Sequence, residues 1–240
     1  ERPLEPTNQR TIGFFHYADR SEARVRSVVW SGDWPKQLPS ENEQELGVGP
    51  VAAIDASLAG LADVFEHDFA SDGLPLDQFT IHSTDQDPKV EARPNGLHIQ
   101  QSGMKTGYRD TWLMPQMKIS GNFEITAAFE DLRVTSIRSG MIGIALSIVM
   151  EDKSTTHGRI FRGTICNATV PPHRAVQSEI LQVREGEFSA NHSDAITEEA
   201  SSGRLRITRL GGMLHCLLAE GDSSQFRLIQ SEKVSDADLR

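Results

Sequence analysis

The chain has 240 residues, 38% hydrophobic and 24% charged, which suits one large β sandwich or two small domains and excludes a disordered chain. Its 24 basic and 34 acidic residues leave a net charge of −10, and an excess of that sign repels phosphate backbones, so nucleic acid is not an expected partner. No apolar run approaches a membrane span; the longest, residues 141–150, has strand length and contains Gly143 and Ser147.

Residues 1–6 (ERPLEP) contain no signal peptide and read as an internal piece of a longer chain, so localisation is not legible from them. Two β segments follow. Residues 12–17 are short and aromatic. Residues 23–30 set Val25, Ser27 and Val29 against Arg24, Arg26 and Val28, the period of two that a half-buried strand needs. Pro35 ends this unit, because proline has no N–H to give to a ladder. Residues 36–63 read as a linker: an acidic, solvated stretch and then an alanine-rich one, 51–61, that predicts one short helix.

From residue 64 onward short strands alternate with turn signals. Residues 65–69 and 79–82 come first. Residues 90–92 and 97–100 form a hairpin across Asn95 and Gly96, the strongest two-residue hairpin signal. Residues 121–129 place Phe123, Ile125, Ala127 and Phe129 on one face. Residues 141–150 place Ile142, Ile144, Leu146, Ile148 and Met150 on one face and small residues on the other. Segments 159–167, 179–184 and 187–191 follow. Segment 203–209 turns at Gly211 and Gly212 into 213–219, which turns at Gly221 and Asp222 into 225–229. Many short strands with almost no 3.6-residue periodicity predict an all-β, two-sheet antiparallel sandwich with at most one or two short helices. The expected division is 1–35, strands that complete the main sheet; 36–63, linker; and 64–240, sandwich.

The search for chemistry yields little. Retaining glycosidases need two carboxylates about 5 Å apart. Glu66 and Asp68 have the alternate spacing but no third carboxylate follows, and Glu124 and Glu130 are six residues apart. No residue qualifies as catalytic. The eight histidines show no HExxH pattern and no i, i+4 pair, so no zinc site is expected. Asp85 and Asp87 are the one loop candidate for calcium, an ion that wants converging oxygens; no cofactor is implied. Cys166 and Cys216 read as buried free thiols, with an interstrand bridge as the alternative in an exported protein. The candidate binding residues are Tyr108, Arg109 and Trp112, gathered near a loop, since an aromatic ring with polar neighbours is what a sugar-binding face needs. Trp30 and Trp34 form a second aromatic pair. Arg159, with Arg162, Arg204 and Arg206, reads as a basic stripe. The alternative is that the rings cap the sandwich ends and the arginines line a solvated sheet face.

Residues 203–214 (GRLRITRLGGML), the Gly221-Asp222 turn and residues 225–229 (QFRLI) resemble the late strands of concanavalin A-like lectin and glucanase domains. Residues 121–127 (GNFEITA) are similar to their central strand, and residues 65–97 to their opening strands. The resemblance covers residues 64–232. It implies a jelly-roll sandwich of the concanavalin A-like type, a glycan as ligand, and an exported or cell-surface setting. Residues 24–35 (RVRSVVWSGDWP) are similar to a segment of a family of large, uncharacterised bacterial proteins that carry a domain of unknown function related to the same sandwich; no activity comes with that resemblance.

Domains of this type close with strands placed after a position equivalent to residues 236–240, and residues 12–34 look like those closing strands. They are expected to fill an edge position of the sheet, borrowed from a preceding repeat or arranged as a circular permutation, because an open edge invites aggregation. A separate hairpin beside the sandwich is the alternative. The expected function is a noncatalytic binding or interaction module with carbohydrate as ligand or neighbouring domains of the same protein as partners. A glycoside-acting enzyme with an unrecognised site and a purely structural repeat stay open.

Overall fold

The computed structural model describes residues 13–16, 21–33, 48–59, 61, 63–84, 88–100, 110–116, 119–134, 140–150, 156–166, 171–184, 187–196 and 200–234. Within them lie fifteen strands and one helix. In chain order these are β1 (Gly13–His16), β2 (Ser21–Asp33), α1 (Val48–Leu58), β3 (Asp63–Asp68), β4 (Phe79–Ser83), β5 (Lys89–Arg93), β6 (Gly96–Gln100) and β7 (Thr111–Pro115). There follow β8 (Asn122–Val134), β9 (Gly140–Met150), β10 (Thr156–Cys166), β11 (His173–Arg184), β12 (Glu187–Ile196), β13 (Gly203–Leu210), β14 (Met213–Glu220) and β15 (Arg227–Lys233).

The chain forms an all-β antiparallel sandwich. One sheet runs β1–β9–β10–β11–β12; the other runs β15–β14–β13–β8–β2–β6–β5, with β3 also paired to β2. A two-stranded sheet, β4–β7, lies beside β1. Alternation along the strands explains the packing, because successive side chains point to opposite faces. Phe123, Ile125, Ala127 and Phe129 of β8, Leu205 and Ile207 of β13, and Leu214, Cys216 and Leu218 of β14 point inward from the larger sheet. Ile144, Leu146, Ile148 and Met150 of β9 and Ile160 of β10 meet them from the smaller one. Each such large side chain contributes about 1.5–3 kcal/mol when removed from water. Both cysteines are buried, and burial pushes the Cys216 thiol up to about 12.

The front of the chain enters both sheets. β1 pairs with β9 at an edge, Gly13 opposite Ser147 and Phe15 opposite Ala145. β2 takes an interior place, between β8 on one side and β3 and β6 on the other, where an edge position was expected. The simple alternation expected for residues 23–30 does not survive either. The register against β8 shifts between Glu22 and Arg24 and again between Val25 and Ser27. A bulge of one residue reverses the phase of everything beyond it. Val25 therefore stands opposite Phe129, while Val28 and Trp30 stand opposite Ala127 and Ile125, and those three β8 residues belong to the core.

The helix begins three residues before the expected stretch and ends three before its end. Val51, Ile54 and Leu58 fall on one stripe of it. They pack against Leu210, Leu217, Ala219 and Phe226 on the outer face of the larger sheet. β7 forms where a loop was expected, with Trp112 opposite His82 of β4.

Opposite β1, the two sheets are joined at their other side by side chains that bond to backbone. Gln182 Nε2 donates to the Lys233 carbonyl at 2.9 Å, Gln230 Nε2 to that of Asn191 at 3.0 Å, and Ser193 Oγ to that of Ile229 at 3.0 Å. Each bond to a main-chain acceptor contributes about 1 kcal/mol. Gln182→Ala with Gln230→Ala is expected to lower urea stability by about 2 kcal/mol. Amide hydrogen exchange should speed up more on β12 and β15, through local opening, than on β8, which follows only the global loss; equal acceleration on all three would contradict a local seam.

Candidate functional site

The outer face of the smaller sheet collects the polar and aromatic groups worth considering. On β10 the inward positions are Gly158, where an added Cβ would meet Leu214 at 2.6 Å, Ile160 in the core, and Arg162. His157, Arg159, Phe161 and Gly163 alternate with them and lie on the outer face. Register then decides what stands beside them. Arg159 faces Ser147 of β9 on one side and Glu179 of β11 on the other, and Glu179 faces His192 of β12. The result is a row across four strands, Ser147, Arg159, Glu179 and His192.

The row is held by charge. Arg159 Nη2 lies 2.8 Å from Glu179 Oε2, with the two side chains only 12% and 15% exposed. At this degree of burial the pair is little screened by salt. Glu179 Oε1 lies 3.4 Å from Nδ1 of the exposed His192. The Ser147 hydroxyl is buried and has no hydrogen-bond partner among the described residues. Burial, then the neighbouring Arg159, push the His157 imidazole down to about 4, so it is neutral at pH 7.

Next to the row is an aromatic patch. Phe161 lies over the facing glycines Gly143 and Gly163, where an added Cβ would come within 2.8 and 2.6 Å of its Cζ. These two glycines leave room for the ring at the centre of the sheet. Trp112, Met141 and Ile165 pack around Phe161 and Ala145. The half-buried Trp112 is oriented through its edge: Nε1 donates to Asp110 Oδ2 at 2.6 Å, and Asp110 Oδ1 accepts from Thr84 Oγ1 at 2.6 Å. On the same face, toward the β11–β12 turn, Val183 and Phe188 stand opposite each other, 36% and 66% exposed.

Two of the four candidate binding residues thus come together, Trp112 and Arg159, on one face of the smaller sheet. Tyr108 and Arg109 lie outside the described residues, as do Trp34 and the Asp85–Asp87 candidate for calcium. Trp30 is placed on β2, opposite Ile125 and Phe65. Phe161, Glu179, His192 and Ser147 were not singled out from the sequence. Alternation alone points to Phe161, which shares the strand face of Arg159. The others depend on interstrand register, which sequence does not print.

The basic stripe does not form. Arg159 and Arg162 are three residues apart and so lie on opposite faces of β10, while Arg204 and Arg206 belong to the other sheet. Arg162 is fully buried; it donates to the carbonyls of Gly163 at 3.3 Å and Ala200 at 3.1 Å, and lies 3.6 Å from Glu220 Oε1. Burial pushes its guanidinium down to about 10, against the pull of Glu220, and it keeps its charge.

The outer face of the larger sheet holds a second polar group. Arg206 Nη1 lies 2.7 Å from Asp55 of α1 and 3.3 Å from Glu124 of β8, and the guanidinium sits 3.6 Å over the Phe226 ring. The guanidinium lies between the two carboxylates, where a hydrolase would place its substrate bond, so the group fastens α1 to the sheet. Burial raises the Glu124 carboxyl above its usual range, Arg206 opposes this and Asp55 adds to it. One row on, His215 Nδ1 lies 2.7 Å from Ser231 Oγ, and burial pushes that imidazole down to about 4. Glu66 and Asp68 sit on β3, and Asp68 Oδ1 accepts the Ala70 N–H at 3.0 Å, a turn-capping use of the carboxylate. Among the described residues no group of three or more His, Cys, Asp or Glu is placed to hold a metal ion, and no helix is long and apolar enough to cross a membrane.

Residues 41–240 match the family model for the protein of unknown function (DUF1583) C domain. The chain belongs to the DUF1583 family. Residues 1–37 match a second model, the DUF1583_N domain of unknown function. No curated protein and no solved structure matches the chain. In this DUF1583 chain β1 and β2 come from the segment matched by the N model, and the strands they pair with come from the C domain.

The two lowered histidines set the acid behaviour. Their folded values, about 4, lie below the ordinary 6.5, so the unfolded chain binds more protons between those limits and stability rises with pH there. Each group contributes up to about 3 kcal/mol across that window. Glu124 acts in the opposite sense, since its folded state holds a proton longer as pH rises. Urea midpoints from pH 4 to 7 should climb, His157→Asn and His215→Asn should flatten the climb, and Glu124→Gln should steepen it.

Proposed function

We propose that this domain is a noncatalytic carbohydrate-binding module on a concanavalin A-like sandwich, and that the outer face of the smaller sheet receives a neutral glycan. One observation carries the reading: the half-buried Trp112 packs on the fully buried Phe161, on the face of β10 that also carries Arg159 two residues away, with Glu179 beside the arginine. An aromatic surface packs against the apolar side of a sugar ring. A guanidinium and a carboxylate alongside supply donors and acceptors in fixed directions for its hydroxyls.

Arg159 and Glu179 already hold each other at 2.8 Å, so binding orders few groups that were free. Their charges cancel, and the chain as a whole carries −10, which favours neutral over anionic sugars. Catalysis has less support. Glu179 is engaged by Arg159, and the carboxylates of Asp55 and Glu124 enclose Arg206.

A glycan array probed with the whole chain is expected to show binding to neutral polysaccharide fragments. Trp112→Ala should weaken it at least tenfold with an unchanged circular dichroism spectrum, and Trp112→Phe should retain part of it. Glu179→Gln should weaken it less. Absence of binding to every neutral glycan, or full binding by Trp112→Ala, sinks the reading.

A further inference from the structure

We propose that residues 41–240 are an acceptor for a donated strand, and that the donor, residues 12–33, docks from a second copy of this chain as well as from its own. The case rests on backbone pairing. Ser21 to Asp33 pair with Val134 to Asn122 of β8 along one side of β2. Along the other side, Ser27 to Gly32 pair with Asp68 to Asp63 of β3, and Glu22 to Val25 with Gln100 to Leu97 of β6. β8 bonds to β13 on its far side and reaches β3 and β6 only through β2. Without the donor, the larger sheet falls into three pieces, β15–β14–β13–β8, the β6–β5 hairpin and β3 alone. The edge of β8 would then expose the ladder groups of a thirteen-residue strand in the middle of a domain. Unpaired backbone groups and long open edges are costly and adhesive.

The family models add an independent observation. The segment that donates and the sheet that accepts are separate sequence units, meeting between residues 37 and 41. Fourteen residues, among them Pro35 and Pro39, separate the end of β2 at Asp33 from the start of α1 at Val48. A connection of that length reaches up to about 50 Å, enough to carry the donor to a neighbouring molecule. The donor also brings its own register. β1 takes the edge of β9 in one sheet, and the two register shifts of β2 fit a single alignment on β8. Reciprocal exchange between two copies uses the same contacts twice and closes on itself, giving a two-fold dimer rather than a fibre.

The test uses the full chain with a protease site introduced between residues 36 and 46. After cleavage the two fragments are expected to elute together at the mass of the intact chain. Unfolding and refolding with an excess of labelled peptide 12–37 should place the label in the complex. The Val28→Pro peptide should enter at least tenfold less, since proline removes an N–H from an interior strand. Uncut chains carrying two different tags, refolded together at high concentration, should co-purify as a dimer. The proposal is overturned if the released fragment leaves a folded monomer with an unchanged β spectrum, if the label stays out, if both peptides enter equally, or if the tagged chains never pair.

Discussion

A strand inside a sheet must satisfy its backbone on both sides, and β2 meets that demand with three other strands. β8 occupies the whole of one side, while β3 and β6 divide the other end to end. The larger sheet is continuous only because β2 is there. The packing of the interior follows from this, since Phe123, Ile125, Ala127 and Phe129 of β8 sit at the centre of the core. The two register shifts between β2 and β8 keep Val25 opposite Phe129 and Val28 opposite Ala127, at the cost of two local interruptions in the ladder.

The two outer faces are finished differently. On the larger sheet, α1 covers an apolar stretch, and Arg206 ties it down through Asp55, Glu124 and the Phe226 ring. On the smaller sheet, the Ser147, Arg159, Glu179 and His192 row stands beside the Trp112 and Phe161 patch. Burying an ion pair is seldom the most stable use of a sheet position, because desolvation offsets the attraction. Arg159 and Glu179 are nearly buried there and joined at 2.8 Å. Arg162 shows the other answer to the same problem, satisfied inside the sandwich by carbonyls and Glu220.

Much of the fold was legible because it is written in alternation. Ile142 to Met150 and the paired glycines of the Leu210–Met213 turn read directly as strand and hairpin. β7 did not, because it is five residues long and ends on Pro115. The interior place of β2 depends on partners far along the chain and could not be read locally. The candidate site was legible in halves. Trp112 and Arg159 were visible as residue types, but what stands next to Arg159 is set by the register of β10 on β11. The supposed stripe of arginines failed for a simpler reason: three residues along a strand is a change of face.

Native-state hydrogen exchange on β2 tests the place of this strand most directly. If β2 is integral to the larger sheet, its amides exchange with the same high free energy of opening as those of β8 and β13, through global unfolding. Exchange of β2 by local opening, while β8 stays protected, would contradict the account.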